Sequence, residues 1–283
     1  MGKLYVIATP IGNLADLSQR AMDTLAAVDV IAAEDTRHTG RLLQSLGITT
    51  PMVSFHDHNE QGRVPQLIAR LLDGESVGLV SDAGTPLVSD PGYSLVNAAA
   101  AAGVEISPIA GPSAVMAALS VSGLPVSGFT FHGFLPRKGA RARLEAIASN
   151  PATQVFYEAP GRVGELLALA AEVLGGDRPA AVARELTKLH EQVVRGSLDE
   201  LLVQARSGEL TPRGEFVVMF GGKPPRESKV DGELAGSVET LIDVLLQDLP
   251  VKRIADVVSK VSGIPRKVAY DLVVERKNAG RYD

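Results

Sequence analysis

The 283-residue chain contains no cysteine and no tryptophan, and aromatic residues make up only 4% of it. The absence of cysteine excludes a disulfide scaffold, thiolate catalysis, iron–sulfur clusters and cysteine-based zinc sites. Positive charge is also scarce, since 28 Lys and Arg stand against 33 Asp and Glu, which gives a net charge of -5. This balance argues against a strongly basic protein that binds nucleic acid indiscriminately.

Long apolar runs are missing as well. The apolar N-terminal segment is interrupted by Pro10 and Gly12, so we interpret it as a first strand and not as a signal peptide. The Ala-rich run at 96–104 contains an asparagine and a glycine, and no stretch reaches the roughly 18 apolar residues that a membrane span requires. A cytoplasmic location is therefore the expectation.

Short apolar runs alternate with amphipathic segments through the N-terminal half, which predicts a mostly parallel sheet covered by helices on both faces. Strands are expected at 4–8, 28–33, 52–55, 77–80 and 104–109, with helices at 17–27, 41–46, 64–72 and 94–102. The second half has the same mixture in a less regular order. We therefore predict an α/β protein with an N-terminal α/β domain at 1–122 and an unlike α/β domain at 123–222.

The C-terminal part differs in composition. A polar stretch rich in Gly and Pro predicts a linker at 223–236, and residues 237–283 contain amphipathic segments with a glycine-containing turn, typical of a helix-turn-helix module. Residues 251–283 hold eight Lys/Arg and four Asp/Glu, a net charge of +4, so the rest of the chain carries -9. This asymmetry indicates contact with an anionic partner. A small helical appendage or a dimerisation element explains it equally well.

Loops rich in glycine and proline follow several predicted strands, where ligands bind in open parallel sheets. Thr9-Pro10-Ile11-Gly12-Asn13 follows the first strand, matches neither a dinucleotide nor a Walker motif, and alone is explained by a tight turn. The strongest signal is the segment 81–92, in which Asp82 can accept hydrogen bonds from an amine or a ribose. Gly111-Pro112-Ser113-Ala114 follows the next strand and opens a helix.

Charged residues follow two other strands. Glu34-Asp35-Thr36-Arg37-His38 includes a possible helix cap at Asp35 or Thr36, which leaves Arg37 and His38 unexplained. His56-Asp57-His58-Asn59-Glu60 contains metal-binding residue types, but no further histidine has a matching spacing, so a loop that contacts substrate is favoured over a metal site. A purely structural explanation of this loop is the start of a helix that Asn59 caps. Weaker polar segments end strands of the second half, at 157–162, 184–188 and 213–216.

Taken together, these motifs resemble the tetrapyrrole methylase superfamily, and within it the branch that acts on RNA of the small ribosomal subunit. The resemblance covers roughly residues 3–222 and is carried by the segments 8–14, 34–37, 56–60, 81–92, 157–160, 184–188 and 214–217. It implies a cofactor, S-adenosylmethionine, held in a cleft between two unlike α/β domains. It also implies a homodimer, no metal, and methyl transfer to the 2'-hydroxyl of a cytidine in 16S rRNA.

The resemblance carries a set of cofactor contacts onto this sequence. They are Pro10, Ile11, Gly12, Asp82, Ala83, Gly84, Thr85, Ser113, Ala114, Tyr157, Gly214, Glu215 and Phe216.

A ribose hydroxyl is a poor nucleophile until its proton is removed, so a positioned base is expected. The candidates for the base are Asp35, Glu34 and His56, while Arg37 or Lys188 can stabilise developing charge or hold a phosphate.

Two other functions remain open from the sequence. One is a methyltransferase for a porphyrinoid precursor, and the other is a non-catalytic RNA-binding assembly factor that retains the cofactor pocket. The basic C-terminal segment discriminates against the first, because an enzyme for a small pigment precursor has no need of it.

Overall fold

A computed structural model describes residues 2–223 and 232–279. The chain divides into two compact units, Met1–Lys223 and Pro224–Asp283. The first unit contains two five-stranded sheets with helices, and the described part of the second is helical. The predicted α/β class, with two unlike sheets and a C-terminal helical part, is confirmed.

The first sheet is parallel throughout, with the strand order β3-β2-β4-β1-β5. Its strands are β1 (Lys3–Ile7), β2 (Val30–Ala33), β3 (Met52–Ser54), β4 (Val77–Val80) and β5 (Glu105–Ile109). The helices α1 (Gln19–Ala27), α2 (Thr36–Ser45), α3 (Glu60–Leu72) and α4 (Tyr93–Ala101) connect them. Because all strands run in one direction, the loops after their carboxyl ends meet at one edge of the sheet.

The central strands β2 and β4 are buried at every residue, which explains why their sequences are continuously apolar. One apolar cluster, which includes Leu4 and Leu79, packs on one side of the sheet, and a second, which includes Ile7 and Ile31, packs on the other. The prediction of helices on both faces is therefore confirmed.

Two helices of this half begin before the ranges that hydrophobic periodicity predicts, at the positions where the sequence already offered a possible cap, Asp35 and Asn59. Helix α2 starts at Thr36 and not at 41, since the Asp35 carboxylate accepts a hydrogen bond from the Arg37 amide (2.8 Å) and caps the helix. Helix α3 starts at Glu60 and not at 64. In both cases the first turn is polar, so hydrophobic periodicity gives no signal there.

The second sheet mixes strand directions in the order β6-β7-β10-β8-β9, with only β6 and β7 parallel. Helix α5 (Ala114–Ser122) precedes it, and its strands are β6 (Phe129–Phe134), β7 (Thr153–Glu158), β8 (Pro179–Arg184), β9 (Gln192–Ser197) and β10 (Phe216–Phe220). Helices α6 (Ala140–Ile147), α7 (Val163–Leu174) and α8 (Leu198–Ser207) cover one face around a core that includes Phe156 and Phe220.

Helix α5 joins the two sheets. It follows the last strand of the first sheet, yet its buried residues Val115, Ala118 and Leu119 pack against Ala181 and Met219 of the second. By packing, α5 therefore belongs with the second sheet, although the predicted domain ends at 122. The predicted domain boundary at residue 122 stays a prediction, because both sheets lie within one compact unit that is not divided further.

The C-terminal unit contains α9 (Gly232–Leu245), α10 (Val251–Ser262) and α11 (Arg266–Ala279). Its core includes Ile254, Val258 and Val273. Gly263, at φ 71°, ends α10 and allows the turn into α11. The linker predicted at 223–236 falls largely on residues 224–231, which lie outside the described residues, while its last residues, 232–236, already belong to α9. In the described ranges, no helix is long and apolar enough to cross a membrane.

Candidate functional site

A cavity of about 390 Å³ lies where the strand-end loops of the first sheet face the second sheet. The first sheet and the start of α5 contribute Ile11, Glu34, Asp82, Ala83, Gly84, Thr85, Val88, Ser89, Asp90, Ser113 and Ala114. The second sheet contributes Phe134, Tyr157, Glu158, Ala159, Pro160, Ala183, Leu186, Gly214, Glu215, Phe216 and Val217. Each sheet therefore forms one wall, and the size suits a small organic ligand.

Backbone hydrogen bonds hold the loops after β1 and β4 together. Thr9 and Gly84 donate their amides to each other's carbonyls at 2.9 and 3.1 Å, and the Thr9 hydroxyl donates to the Ser81 carbonyl at 3.2 Å. The Thr85 hydroxyl donates to the Pro112 carbonyl at 3.1 Å. These bonds make a rigid backbone cradle along one side of the cavity.

The segment 81–92 holds two residues in an uncommon backbone conformation. Leu87 and Ser89 have φ values of 73° and 69°, a left-handed region that non-glycine residues adopt only when the surroundings enforce it. A Cβ atom at Gly92 would lie 2.8 Å from the Leu79 side chain, so this position requires glycine. The glycine and proline residues noted in the sequence therefore specify one backbone course.

The loops after β2 and β4 bind each other through their carboxylates. The Asp82 carboxylate accepts a hydrogen bond from the Asp35 amide (3.1 Å), and the Glu34 carboxylate accepts one from the Asp82 amide (3.2 Å). Burial raises the pKa of Glu34 and that of Asp90, and the charge of Asp82 raises both further. The carboxyl groups of Glu34 and Asp90 therefore bind protons at a higher pH than exposed carboxyl groups do.

Asp35 has a different environment from its neighbour Glu34. Arg37 donates from Nε at 3.1 Å and from Nη2 at 2.7 Å to its two carboxylate oxygens. These bonds hold the pKa of Asp35 well below its usual range. Neither Asp35 nor Arg37 lines the cavity, and the Arg37 side chain is 86% exposed.

His56 also lies outside the cavity lining. The Asn59 amide oxygen accepts a hydrogen bond from the His56 backbone amide (2.9 Å), and the Asn59 Nδ2 donates to the Ser54 carbonyl (3.2 Å). Asn59 is thus the first residue before α3, but its side chain ties the loop together and does not cap the helix. Among residues 2–223 and 232–279, no group of three or more acidic and histidine side chains is arranged to hold a metal ion.

Lys188 connects loops of the two sheets. Its Nζ lies 2.9 Å from the Glu185 carboxylate and 3.1 Å from the Glu215 carboxylate. Burial lowers the pKa of Lys188, but the two carboxylates outweigh it and the net shift is upward. Its aliphatic stem covers Gly12, where a Cβ would lie 2.7 Å from the Lys188 Cε. Lys188 therefore packs against the loop after β1 and does not line the cavity.

Aromatic side chains form part of the opposite wall. Tyr157 lies edge-on to Phe131 and Phe134, with ring centroids 4.9 and 5.6 Å away. Burial, with the charges of Asp90 and Glu215, raises the pKa of Tyr157 to about 12, so its hydroxyl stays protonated at neutral pH.

Glu158 places a fully buried carboxyl group behind the same wall. One of its carboxylate oxygens accepts from the Ala159 amide (2.8 Å) and pairs with Arg162 at 3.2 Å. The other oxygen is buried and has no hydrogen-bond partner among the described residues. Burial raises the pKa of Glu158.

Most of the expected cofactor residues come together in the cavity. The exceptions are Pro10 and Gly12, which belong to the β1 loop but not to the lining. Of the expected catalytic residues, Glu34 lines the cavity, while Asp35, Arg37, His56 and Lys188 do not.

Several lining residues were not predicted. Most fall within segments that the sequence had already marked by composition, at 81–92, 157–160 and 184–188. Phe134 had no such signal, because it is the last residue of a strand whose end meets the cavity only in three dimensions.

Comparison with known proteins identifies the class. The family model of tetrapyrrole (corrin/porphyrin) methylases matches residues 3–202, and the model of the RsmI C-terminal HTH domain matches residues 232–277. The chain therefore belongs to the tetrapyrrole methylase family and is a methyltransferase.

Curated relatives are similar to this chain over nearly its whole length. The ribosomal RNA small subunit methyltransferase I of Xylella fastidiosa (strain Temecula1 / ATCC 700964) is 47% identical over 95% of this chain and 98% of that protein. The protein of that name from Escherichia coli O157:H7 is 43% identical over 98% of this chain and 96% of that protein.

Solved structures share the fold alone. Uroporphyrin-III-C-methyltransferase from Thermus thermophilus has a TM-score of 0.55 at 21% identity, covering 83% of this chain and 99% of that one. A diphthine synthase has a TM-score of 0.60 at 18% identity, covering 78% and 90%.

Proposed function

We propose that the chain transfers a methyl group from S-adenosylmethionine to the 2'-hydroxyl of a cytidine in 16S rRNA of the small ribosomal subunit. The observation that carries the proposal is the identity of 43–47% to small subunit rRNA methyltransferases over nearly the full length. That similarity includes the C-terminal module, which a methylase of small pigment precursors does not need.

The cavity fits the cofactor of the family. S-adenosylmethionine supplies an activated methyl group on a positively charged sulfonium centre, and it also carries an amine and a ribose. The backbone cradle at Gly84 and the carboxylates of Asp82 and Asp90 suit a ligand of this polarity. We assign the cofactor contacts expected from the sequence to this cavity, except Pro10 and Gly12, which lie outside its lining.

Because the methyl donor is already activated, the protein's task is to hold the hydroxyl in line and take its proton. Glu34 suits the second part best among the three candidates. It lines the cavity and its pKa is raised, whereas Asp35 is engaged with Arg37 and His56 lies outside the lining. We assign the general base to Glu34.

Arg37 and the loop 56–60 are proposed to face the RNA. Arg37 is highly exposed at the start of α2 and retains donors that its contact with Asp35 does not use. A guanidinium of this kind binds phosphate in a bidentate manner.

The C-terminal module is proposed to dock RNA. In α10 and α11, Lys252, Arg253, Lys267 and Lys277 are exposed, while Arg266 is paired with Asp256. A homodimer and a cytoplasmic location complete the proposal. Light scattering on the purified chain tests the dimer.

The proposed reaction is tested with labelled S-adenosylmethionine and either small ribosomal subunits or a porphyrinoid precursor. Label is expected in the RNA, and mass mapping is expected to place it on a cytidine ribose. Label in the porphyrinoid alone would favour the pigment pathway, and RNA binding without any transfer would favour an assembly factor. In the same assay, Arg37→Ala and His56→Ala are expected to lose turnover with cofactor affinity intact. Wild-type turnover in both would remove them from the RNA side.

Glu34→Gln is expected to lower the single-turnover rate by about 10²–10⁴-fold, because the base is lost while the side chain keeps its shape. The raised pKa of Glu34 means that the wild-type rate falls on acidification at a higher pH than an ordinary glutamate would produce. The variant should lack this acid limb. Cofactor affinity, measured by calorimetry, is the control, and an unchanged rate and pH profile would contradict the assignment.

Deletion of the second compact unit, residues 224–283, is expected to weaken RNA binding and to reduce its dependence on salt. Each lost phosphate contact should lower the slope of log K against log salt by about 0.7 for single-stranded RNA. Fluorescence anisotropy over a series of salt concentrations measures this slope. Identical curves for the full and shortened chains would indicate that the module is an appendage or a dimerisation element.

A further inference from the structure

A basic segment directly after β6 has no part in the proposed methyl transfer. Residues 137–143 contain Arg137, Lys138, Arg141 and Arg143 and no acidic residue, although the chain as a whole has a net charge of -5. All four side chains are exposed. This local excess of positive charge lies on a protein whose cavity wall is acidic.

Two of the four cations have neither an ion pair nor a hydrogen bond among the described residues, although the charge of Arg137 acts to lower the pKa of Glu158. Arg141 pairs with Glu172 at 2.7 Å, and the Arg143 Nη2 lies 3.1 Å from the His132 Nδ1. Arg137 and Lys138 have no ion pair or side-chain hydrogen bond to any residue in the ranges 2–223 and 232–279. Their charges are therefore available to an external anion.

Arg137 borders a groove of about 500 Å³ together with Arg162. Arg162 is held in place, since its guanidinium donates to the Leu135 carbonyl at 3.0 Å and pairs with Glu158 at 3.2 Å. Glu165 is the one acidic residue that lines this groove. The groove thus presents one fixed and one free guanidinium, with Glu165 and apolar side chains along the rest of its lining.

Phe134 connects the basic segment to the cavity. Phe134 lines the cavity and is 58% exposed, although its side chain is a large aromatic ring. Leu135, the next residue, is buried and fixes the chain between Phe134 and Arg137. Residues 134–137 therefore place an exposed aromatic ring at the cavity and a cation at the groove.

Single-stranded RNA is recognised by this combination, in which aromatic faces stack on bases and cations follow the phosphates. We propose that Phe134 stacks on the base of the target nucleotide and that Arg137, Lys138 and Arg162 hold the phosphates beside it. The inference rests on the proposed function, since it names how the RNA substrate reaches the same cavity. Bases of single-stranded RNA can be splayed out and stacked on aromatic side chains, and a ring at the cavity offers the target base such a surface.

The cation part is tested with the double variant Arg137→Gln/Lys138→Gln in the full chain. The matched control, Arg20→Gln/Arg206→Gln, removes the same charge from exposed positions on α1 and α8. At saturating S-adenosylmethionine, KM for rRNA is expected to rise roughly tenfold in the test variant only, and the salt slope to fall by about 1.4. Equal KM values and slopes in the two double variants would overturn this part.

The stacking part is tested with Phe134→Ala and Phe134→Tyr. The alanine variant is expected to lose about 5- to 150-fold in kcat/KM for RNA, and the tyrosine variant to regain most of it. Affinity for S-adenosylmethionine should be unchanged in both. A loss of cofactor affinity that matches the loss in kcat/KM would place Phe134 in the cofactor wall and overturn the stacking role.

Direct binding separates this inference from the proposed reaction. Anisotropy of a labelled single-stranded RNA measures the basic segment without any methyl transfer. Binding that is weakened in Arg137→Gln/Lys138→Gln supports the inference even if the wild-type chain methylates no RNA, which would contradict the proposed function alone. Methylation by the wild type with unimpaired binding by the variant would contradict the inference alone.

Discussion

The cavity depends on the contact between Lys188 and the loop after β1. The lysine stem covers Gly12, and its ammonium group is held by the carboxylates of Glu185 and Glu215, which belong to the second sheet. Since Glu215 also lines the cavity, one side chain fixes the distance between a loop of the first sheet and a wall of the second. The pair of Lys188 with Glu185 is partly buried, so solvent screens it less than a surface ion pair, whereas the Glu215 side chain is 74% exposed.

Charge is distributed to suit two ligands of opposite sign. The cavity wall holds Glu34, Asp82 and Asp90, which favour a cationic methyl donor. Positive charge lies elsewhere, in the segment 137–143 and in the C-terminal helices. The acidic total of the chain therefore does not argue against an RNA substrate; it limits binding to polyanions that fit the basic surfaces.

The sequence predicted the first sheet well, because buried parallel strands are continuously apolar and their ends are marked by glycine, proline and charge. It predicted most of the cofactor wall from the same loops. It could not predict Phe134 at the cavity or the place of Lys188, since both depend on how the second sheet meets the first. Non-local packing of this kind leaves no periodic signal in the chain. The polar first turn of α2 has no periodic signal either, and only the possible cap at Asp35 marked it in the sequence.

Calorimetry of S-adenosylmethionine binding to Gly12→Ala tests most directly the claim that Lys188 shapes the cavity. A methyl group at residue 12, where φ is 150°, would strain the backbone and displace the Lys188 stem. Strain of roughly 1–3 kcal/mol predicts a loss of about 5- to 150-fold in affinity. Gly164→Ala is the control, because open space surrounds that position in α7. Wild-type affinity in Gly12→Ala would contradict the account.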